Sequence, residues 1–487
     1  MKLFGLNITR DGAPKSRRNY DGARRDDYTA DWLMTDGPSD VVSRASVATL
    51  RTRGRDLERN NPYAEAILSE CESNIVGPNG FMIKPKPRKM DSRVKGGMTS
   101  VVDTVAAEKI GNWWADHCRR GNFDVTGQFS AAEYTRMAVR STVRDGGSLT
   151  RMVDGFAGNS TRFAVQGLEI DTLDPAFNDP AQNISMSVQF DDWWKPVTYY
   201  LKEIRRDGQN RTFERKPITA RDILHVHRAH RFSATQSPSW LATAMLSIRH
   251  LNQFEIAEVI AARSEAEKLG FFKETGEGRY EGEDDGTGRL IAPSSPGQWE
   301  RLPAGVEPHS LDPSHPNSNF PDFRKAILRQ ICAGLPVNYN IIAQDLEGVS
   351  FSSIRQGVLS ERDSWRVMQN FFADSLICPI YERALLMALT SGQIEGLTER
   401  DYSRLVYKEI SGRNWHWVDP VRDIEAKERE VALGINSRQN IAREAGRPDF
   451  SVIARENEED SAILESAGLP TNAGKAQAAP VPVRIEE

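Results

Sequence analysis

From Ser239 to Leu269 no glycine or proline interrupts the chain. Ser237 and Pro238 stand before this run as a helix start signal, and Gly270 follows it as a stop. Leu241, Ala244, Met245, Ile248 and Leu251 recur at helical spacing, and Phe254, Ala257, Ile260 and Ala261 carry the pattern on. A helix over 237–270 would be roughly 45 Å long at 1.5 Å per residue. Globular helices average only about 11–12 residues. An acidic, glycine-rich excursion follows, and a second helical pattern then runs from Asn319 to Ala333. The chain is therefore expected to go out along a long helix, make a detour and return. The alternative is an ordinary core helix followed by a long loop.

Composition narrows what surrounds this feature. With 487 residues, 39% of them hydrophobic, the chain can bury a large core divided among several domains. A net charge of −5 gives no global signal of tight nucleic-acid binding. Cys71, Cys118, Cys332 and Cys378 are scattered, which argues against a zinc ribbon or a disulfide scaffold and suits a reducing cytoplasm. The N-terminus lacks the apolar run of a signal peptide, and no stretch of about 18 apolar residues predicts a membrane span.

Residues 1–40 read as an extended arm. Its basic cluster of Lys15, Arg17, Arg18, Arg24 and Arg25 is diluted by Asp21, Asp26 and Asp27, so it reads as a solvated arm docking on a neighbour rather than on nucleic acid. Residues 41–75 are expected to be mainly helical, with Pro62 starting a helix after the Asn60-Asn61 pair. Phe81–Pro87 reads as a strand, and Asp103–Cys118 and Phe129–Arg144 as helices. From 148 to 228 the period changes to two: SLTRMVD, RFAVQGLEI, NISMSVQF, KPVTYYLKEI and DILHVHR read as strands. A β-rich segment set among helices gives an α+β layout. Residues 354–392 are strongly helical with one interruption at Pro379, a strand is expected within 403–418, and charged helices follow Pro420. The last stretch, from about Pro470, is rich in Ala, Pro and Gly and is expected to be disordered.

The motifs that could carry chemistry are few. His225 and His227 would share one strand face with His230 just beyond, and three imidazoles could bind zinc. No HExxH or cysteine pair supports that site, so surface or interface histidines are expected. Asp191-Asp192 before Trp193-Trp194 reads as a hairpin turn. P-loop, GxSxG and kinase signatures are absent. Ser437 and Gly446 around SRQNIAREAG are helix punctuation rather than DNA-reading signals. The yield is a profile of assembly, with no metal and no cofactor implied.

The order of landmarks is more specific. These are RGRDLERNNPYAEAILSECESNIVGPNGF (53–81), the Trp113-Trp114 helix, VRDGGSLTRMV (143–153) and LEIDTLDP (168–175). There follow DILHVHRAHRFSATQSPSWLATAMLSIRHLNQFEIAEVIAAR (222–263), LPAGVEPHSLDPSHPNSNFPDF (302–323), GVSFSSIRQGVLSERDSW (348–365) and WHWVDPVRDIEAKEREVALGINSRQNIAREAG (415–446). In this order they resemble the lambda-type family of tailed-phage portal proteins. The resemblance implies a portal fold assembled as a ring, typically of about twelve subunits, at the unique portal vertex of the virion. It implies an arm (1–40), a wing (41–236 and 353–419), stem helices (237–270 and 319–336), a clip (271–318), a tunnel loop (337–352), a helical crown (420–470) and a disordered tail (471–487). Implied partners are further copies of the chain, double-stranded DNA passing without sequence specificity, the terminase large subunit, a head–tail connector, and the major capsid or scaffolding protein. Assembly would take place in the host cytoplasm.

Within that frame Leu241, Met245, Ile248 and Leu251 are the candidates for stem packing against a neighbour. Asp345, Glu347, Ser350, Ser352 and Ser353 are channel candidates, and Glu281, Glu283, Asp284 and Asp285 the acidic clip candidates. Carboxylates at Asp345 and Glu347 would repel the DNA backbone, since each cation paired with phosphate adds salt-sensitive affinity and drag. SATQSPSWL replaces the family's Gly-containing run before the stem, which shifts the expected helix start by a few residues. The rivals are a metal-dependent hydrolase or nuclease using His225, His227 and His230, and a capsid structural protein without a channel.

Overall fold

Asn61 and Pro62 behave as their chemistry predicts. In the computed structural model the Asn61 side chain accepts from the Ala64 amide at 3.0 Å, and Pro62 opens the helix Pro62–Ile75 where no amide is missed. The structure describes residues 37–90, 98–204, 211–267, 319–335, 337–345, 351–415, 420–444 and 450–466. It also describes the short strands Lys2–Leu3, Leu6–Asn7, Phe271–Glu274, Glu283–Asp284, Leu290–Ile291 and Val306–His309. The predicted disordered tail and most of the N-terminal arm and clip lie outside the described residues.

Mixed helix and strand is the result. The helices Val47–Asn60, Pro62–Ile75 and Ala131–Asp145 pack together, and Arg140 holds them with ion pairs to Glu58 (2.6 Å), Glu72 (2.7 Å) and Glu65. Asp103 caps Thr104–His117 through the Ala106 amide. Ser130 and Glu133 form a reciprocal capping box on Ala131–Asp145. The β segment forms two antiparallel sheets. One orders Ile223–Val226, Ser148–Asp154 and Phe163–Leu168; the other orders Arg211–Thr219, Pro196–Ile204, Val188–Phe190 and Ile184–Ser185. Leu149, Ile170, Leu173, Val188, Tyr199, Leu201 and Ile223 bury a small core of their own between them. The strand expected within 403–418 is Lys408–Ser411, and it pairs with Met82–Pro85.

Pro379 interrupts its helix in a definable way. Phe351–Phe372 is α-helical, Ala373–Ile377 is a π-helical turn, and Cys378–Thr390 is α-helical again. Proline has no amide to donate, and its ring crowds the carbonyl four residues back. The wider turn absorbs both problems, with the Cys378 amide bonded to Ala373 O. The charged C-terminal helices are Pro420–Ala432, Arg438–Glu444 and Phe450–Ser466. Ser437 caps the middle one, its hydroxyl accepting from the Asn440 amide at 3.1 Å.

Candidate functional site

The long helix starts later than Pro238. Trp240–Thr243 is a 3-10 turn and the α-helix is Met245–Glu267, 23 residues or about 35 Å. The reason is that Ser237-Pro238-Ser239 is held elsewhere. The Ser237 hydroxyl donates to Arg228 O at 2.8 Å, and Ser239 donates to Val143 O at 3.2 Å while accepting from the Leu241 amide. Behind it, buried Arg51 donates to Asp145 O and to Gln236 Oε1 (2.7 Å), and Gln236 donates to Met186 O. Burial lowers the Arg51 guanidinium to about 10, against the pull of Asp171 and Asp145, so it stays charged at neutral pH. The base of the helix is thereby fastened to both the helical layer and the sheets.

Leu241, Met245, Ile248 and Leu251 are all buried, the last three at 6%, 0% and 0% exposure. They pack into the chain's own core rather than standing ready for a neighbour. Beyond Leu251 the apolar positions spread round the helix, and none among the described side chains is buried: Ile256, Val259 and Ile260 are 52%, 67% and 58% exposed. Phe254 alone finds rings, Phe320 at 5.8 Å and Phe323 at 5.0 Å between centroids. Those belong to the returning helix Phe320–Ala333, whose other end lies by Thr243, so the two helices run antiparallel. Glu255 pairs with Arg324 at 3.1 Å and accepts from the Tyr63 hydroxyl at 2.7 Å.

Asp345 is no free carboxylate. It pairs with Lys325 at 3.0 Å and accepts from the Tyr339 hydroxyl at 2.7 Å. Burial, reinforced by that bond, raises the Tyr339 phenol to about 12. Part of the expected tunnel loop is ordered as the short helix Tyr339–Ile342, and the next helix begins at Phe351, so Ser352 and Ser353 lie in its first turn. Glu347, Ser350, Glu281 and Asp285 lie outside the described residues; Glu283 and Asp284 pair as a strand with Leu290–Ile291. The polar contacts of Tyr63, Glu255, Arg324 and Lys325 were missed in sequence, where helical charges carry no mark of their partner.

The histidines are not a surface trio. Ile223–Val226 is an edge strand of its sheet, and Phe232–Thr235 with Trp194 and Tyr199 line a partly open cavity of about 130 Å³ beside His225 and His227. The two rings stack at 4.3 Å, and His230 is exposed beyond them. No group of three metal-ligating side chains forms among the described residues. Since the Ser237 hydroxyl donates to Arg228 O, it accepts from His227, whose proton therefore sits on Nδ1. Burial lowers His227 to about 4, and lowers His117, enclosed by Trp113, Trp114, Phe123 and Phe163, to about 4 as well. His225 is pushed down by burial and by its neighbour His227. Above pH ~6.5 these groups are neutral folded or unfolded; below it only the unfolded chain binds the protons. Stability is thus expected to be full above pH ~6.5 and to fall toward pH 4, with His117 and His227 each withdrawing up to about 3 kcal/mol. Urea midpoints across this range should fall less steeply in His227→Gln; an unchanged slope would contradict the assignment.

The Asp191 turn is a hairpin tip, as expected. Asp191 Oδ1 accepts from the Trp193 and Lys195 amides, both at 2.9 Å, and leaves Trp193 and Trp194 89% and 66% exposed.

Comparison with known proteins adds three findings. Residues 25–369 match the family described as "Phage portal protein, lambda family". A protein of Halomonas phage phiHAP-1 named "Probable portal protein" is 30% identical over 479 residues, covering 95% of this chain and 90% of its own. Among solved structures, a chain of "Virion of native gene transfer agent (GTA) particle" aligns over 84% of this chain and 99% of its own at TM-score 0.43 and 13% identity. One of "Neck of native GTA particle computed with C12 symmetry" aligns over the same shares at TM-score 0.43 and 14% identity. At those scores the structural likeness says nothing about assembly.

Proposed function

Because this chain belongs to the lambda family of phage portal proteins, we propose that it closes into a ring of about twelve copies whose centre conducts double-stranded DNA into and out of a phage head. The observation that carries the ring is the distal half of Met245–Glu267. From Phe254 to Ala261 only Glu255 and Glu258 are charged; they share one side of the helix, and the apolar residues spread over the rest of its circumference. So wide an apolar face belongs in an interior. Among the described residues, one copy packs rings against this half of the helix from the side of Phe320 and Phe323. Neighbouring copies in a ring supply the remaining cover, each helix lying against the next.

In this reading Met245–Glu267 and Phe320–Ala333 are the stem, residues 271–318 the clip that meets the terminase large subunit and later the head–tail connector, and 420–466 the crown. The sheets and the helices around them form the wing, whose outer surface meets the major capsid or scaffolding protein. The ring sits at one vertex of the virion and catalyses nothing itself. DNA slides rather than binds, which suits a chain with a net charge of −5.

Native mass spectrometry with negative-stain imaging of the full-length protein tests this directly. Rings of about twelve copies with a channel slightly wider than duplex DNA are expected. A monodisperse monomer or dimer at assembly concentrations would defeat the reading.

A further inference from the structure

Three distant parts of the chain converge on one turn of the returning stem helix. Arg324 reaches Glu255 of the outgoing helix at 3.1 Å and the Tyr63 hydroxyl of helix Pro62–Ile75 at 3.1 Å. The next residue, Lys325, reaches Asp345 at 3.0 Å. Successive residues on a helix point about 100° apart, so one turn can serve partners on different sides. Asp345 is held by Lys325, by the Tyr339 hydroxyl, and by its own amide, which donates to Asn340 O at 3.1 Å. The segment before it is itself anchored, with Val337 and Ile342 8% and 6% exposed. Gln344 stands in the left-handed region at φ 50°, a conformation that costs a non-glycine residue about 1–2 kcal/mol and persists because its neighbours fix it.

We propose that Lys325 and Asp345 are a positioning pair that fixes the base of the channel-facing segment to the returning stem helix, so that stem and segment base move as one body. The channel part of this statement rests on the portal reading; the pair does not. It also reassigns Asp345. Its carboxylate is committed to Lys325 and Tyr339, and its task is mechanical rather than the repulsion of DNA.

A charge exchange separates the two roles. In the full-length chain, Asp345→Asn and Lys325→Met are each expected to speed amide exchange across residues 337–345 about tenfold, because a hydrogen-bonded, half-buried ion pair opens. The double variant Lys325→Glu with Asp345→Lys restores a pair of opposite sign and should return exchange to within about threefold of the parent. Particles assembled with each variant should lose packaged DNA and regain it in the same order. If the double variant melts like the parent yet exchanges as fast as Asp345→Asn, the pair is not the anchor and the proposal fails. If Asp345→Asn leaves exchange unchanged, it fails more directly. Exchange in the unassembled chain reads the pair whether or not rings form, so a failure of the portal reading shows separately, as absent rings.

Discussion

Replacing Ile256 and Ile260 by aspartate is expected to abolish ring formation while leaving the monomer folded. Both side chains are more than half exposed in one copy and neither belongs to the chain's buried core, so the substitution withdraws little from it. In a ring each would bury a charge against a neighbour, at several kcal/mol apiece. Two such charges per contact weaken association by about a thousandfold or more. Sedimentation velocity should find monomer at concentrations where the parent is assembled, and circular dichroism should find the same helix content. Rings of normal size would sink the assignment of this face. Ile248→Asp makes the contrast. Ile248 is fully buried in the chain's own core, so the same change should cost more than about 4 kcal/mol of stability and leave little soluble protein of either kind.

The second large effect concerns Gly146. It ends the helix Ala131–Asp145 at φ 87°, and a Cβ there would stand 2.2 Å from Ser237 O and 2.6 Å from the Pro238 carbonyl carbon. Those are backbone atoms of the segment that seats the stem, itself fixed by Ser237, Ser239 and Gln236. Gly146→Ala therefore adds left-handed strain to an overlap that no rotamer relieves. A loss of about 3–5 kcal/mol in urea unfolding is expected. Gly155, also at positive φ but with nothing near its Cβ, serves as the control. Gly155→Ala should cost only about 1–2 kcal/mol. Equal losses at the two positions would show that the close approach is immaterial.

What the sequence disclosed follows the range of the interaction. Asp103 marked only the start of its expected helix; Asn61-Pro62 and Ser437 are caps written within four residues, and each was legible. So was the Ser130–Glu133 box, whose S-x-x-E spacing could have been read and was not. Ser148–Asp154 matches its predicted strand because alternation is a property of neighbours. The late start of the stem helix was not legible in full, because what holds Ser237 and Ser239 out of the helix is Arg228 O and Val143 O. The histidines misled for a similar reason: the strand puts His225 and His227 together, but their cover comes from Trp194, Tyr199 and residues 232–235. The Lys325–Asp345 pair joins positions twenty apart across a turn that no periodicity describes. In each case the deciding partner lies on another element.

The π-helical turn at Ala373–Ile377 has a consequence for how this chain can vary. Trp365, Gln369, Ala373, Ile377, Tyr381, Leu385 and Leu389 are all buried, each four residues from the last. In a uniform α-helix a step of four overshoots a full turn by about 40°, so such a series winds steadily away from any flat partner. The wide turn gives back part of that angle midway, as a leap day resets a calendar. Pro379 and the extra residue of the turn are therefore one inheritance. Deleting a residue near 375, or straightening the helix by replacing Pro379 alone, would turn the contacts on one side out of phase with those on the other. Lineages of this chain should keep the two together or lose them together, with the buried residues beyond Ile377 rewritten at the same time.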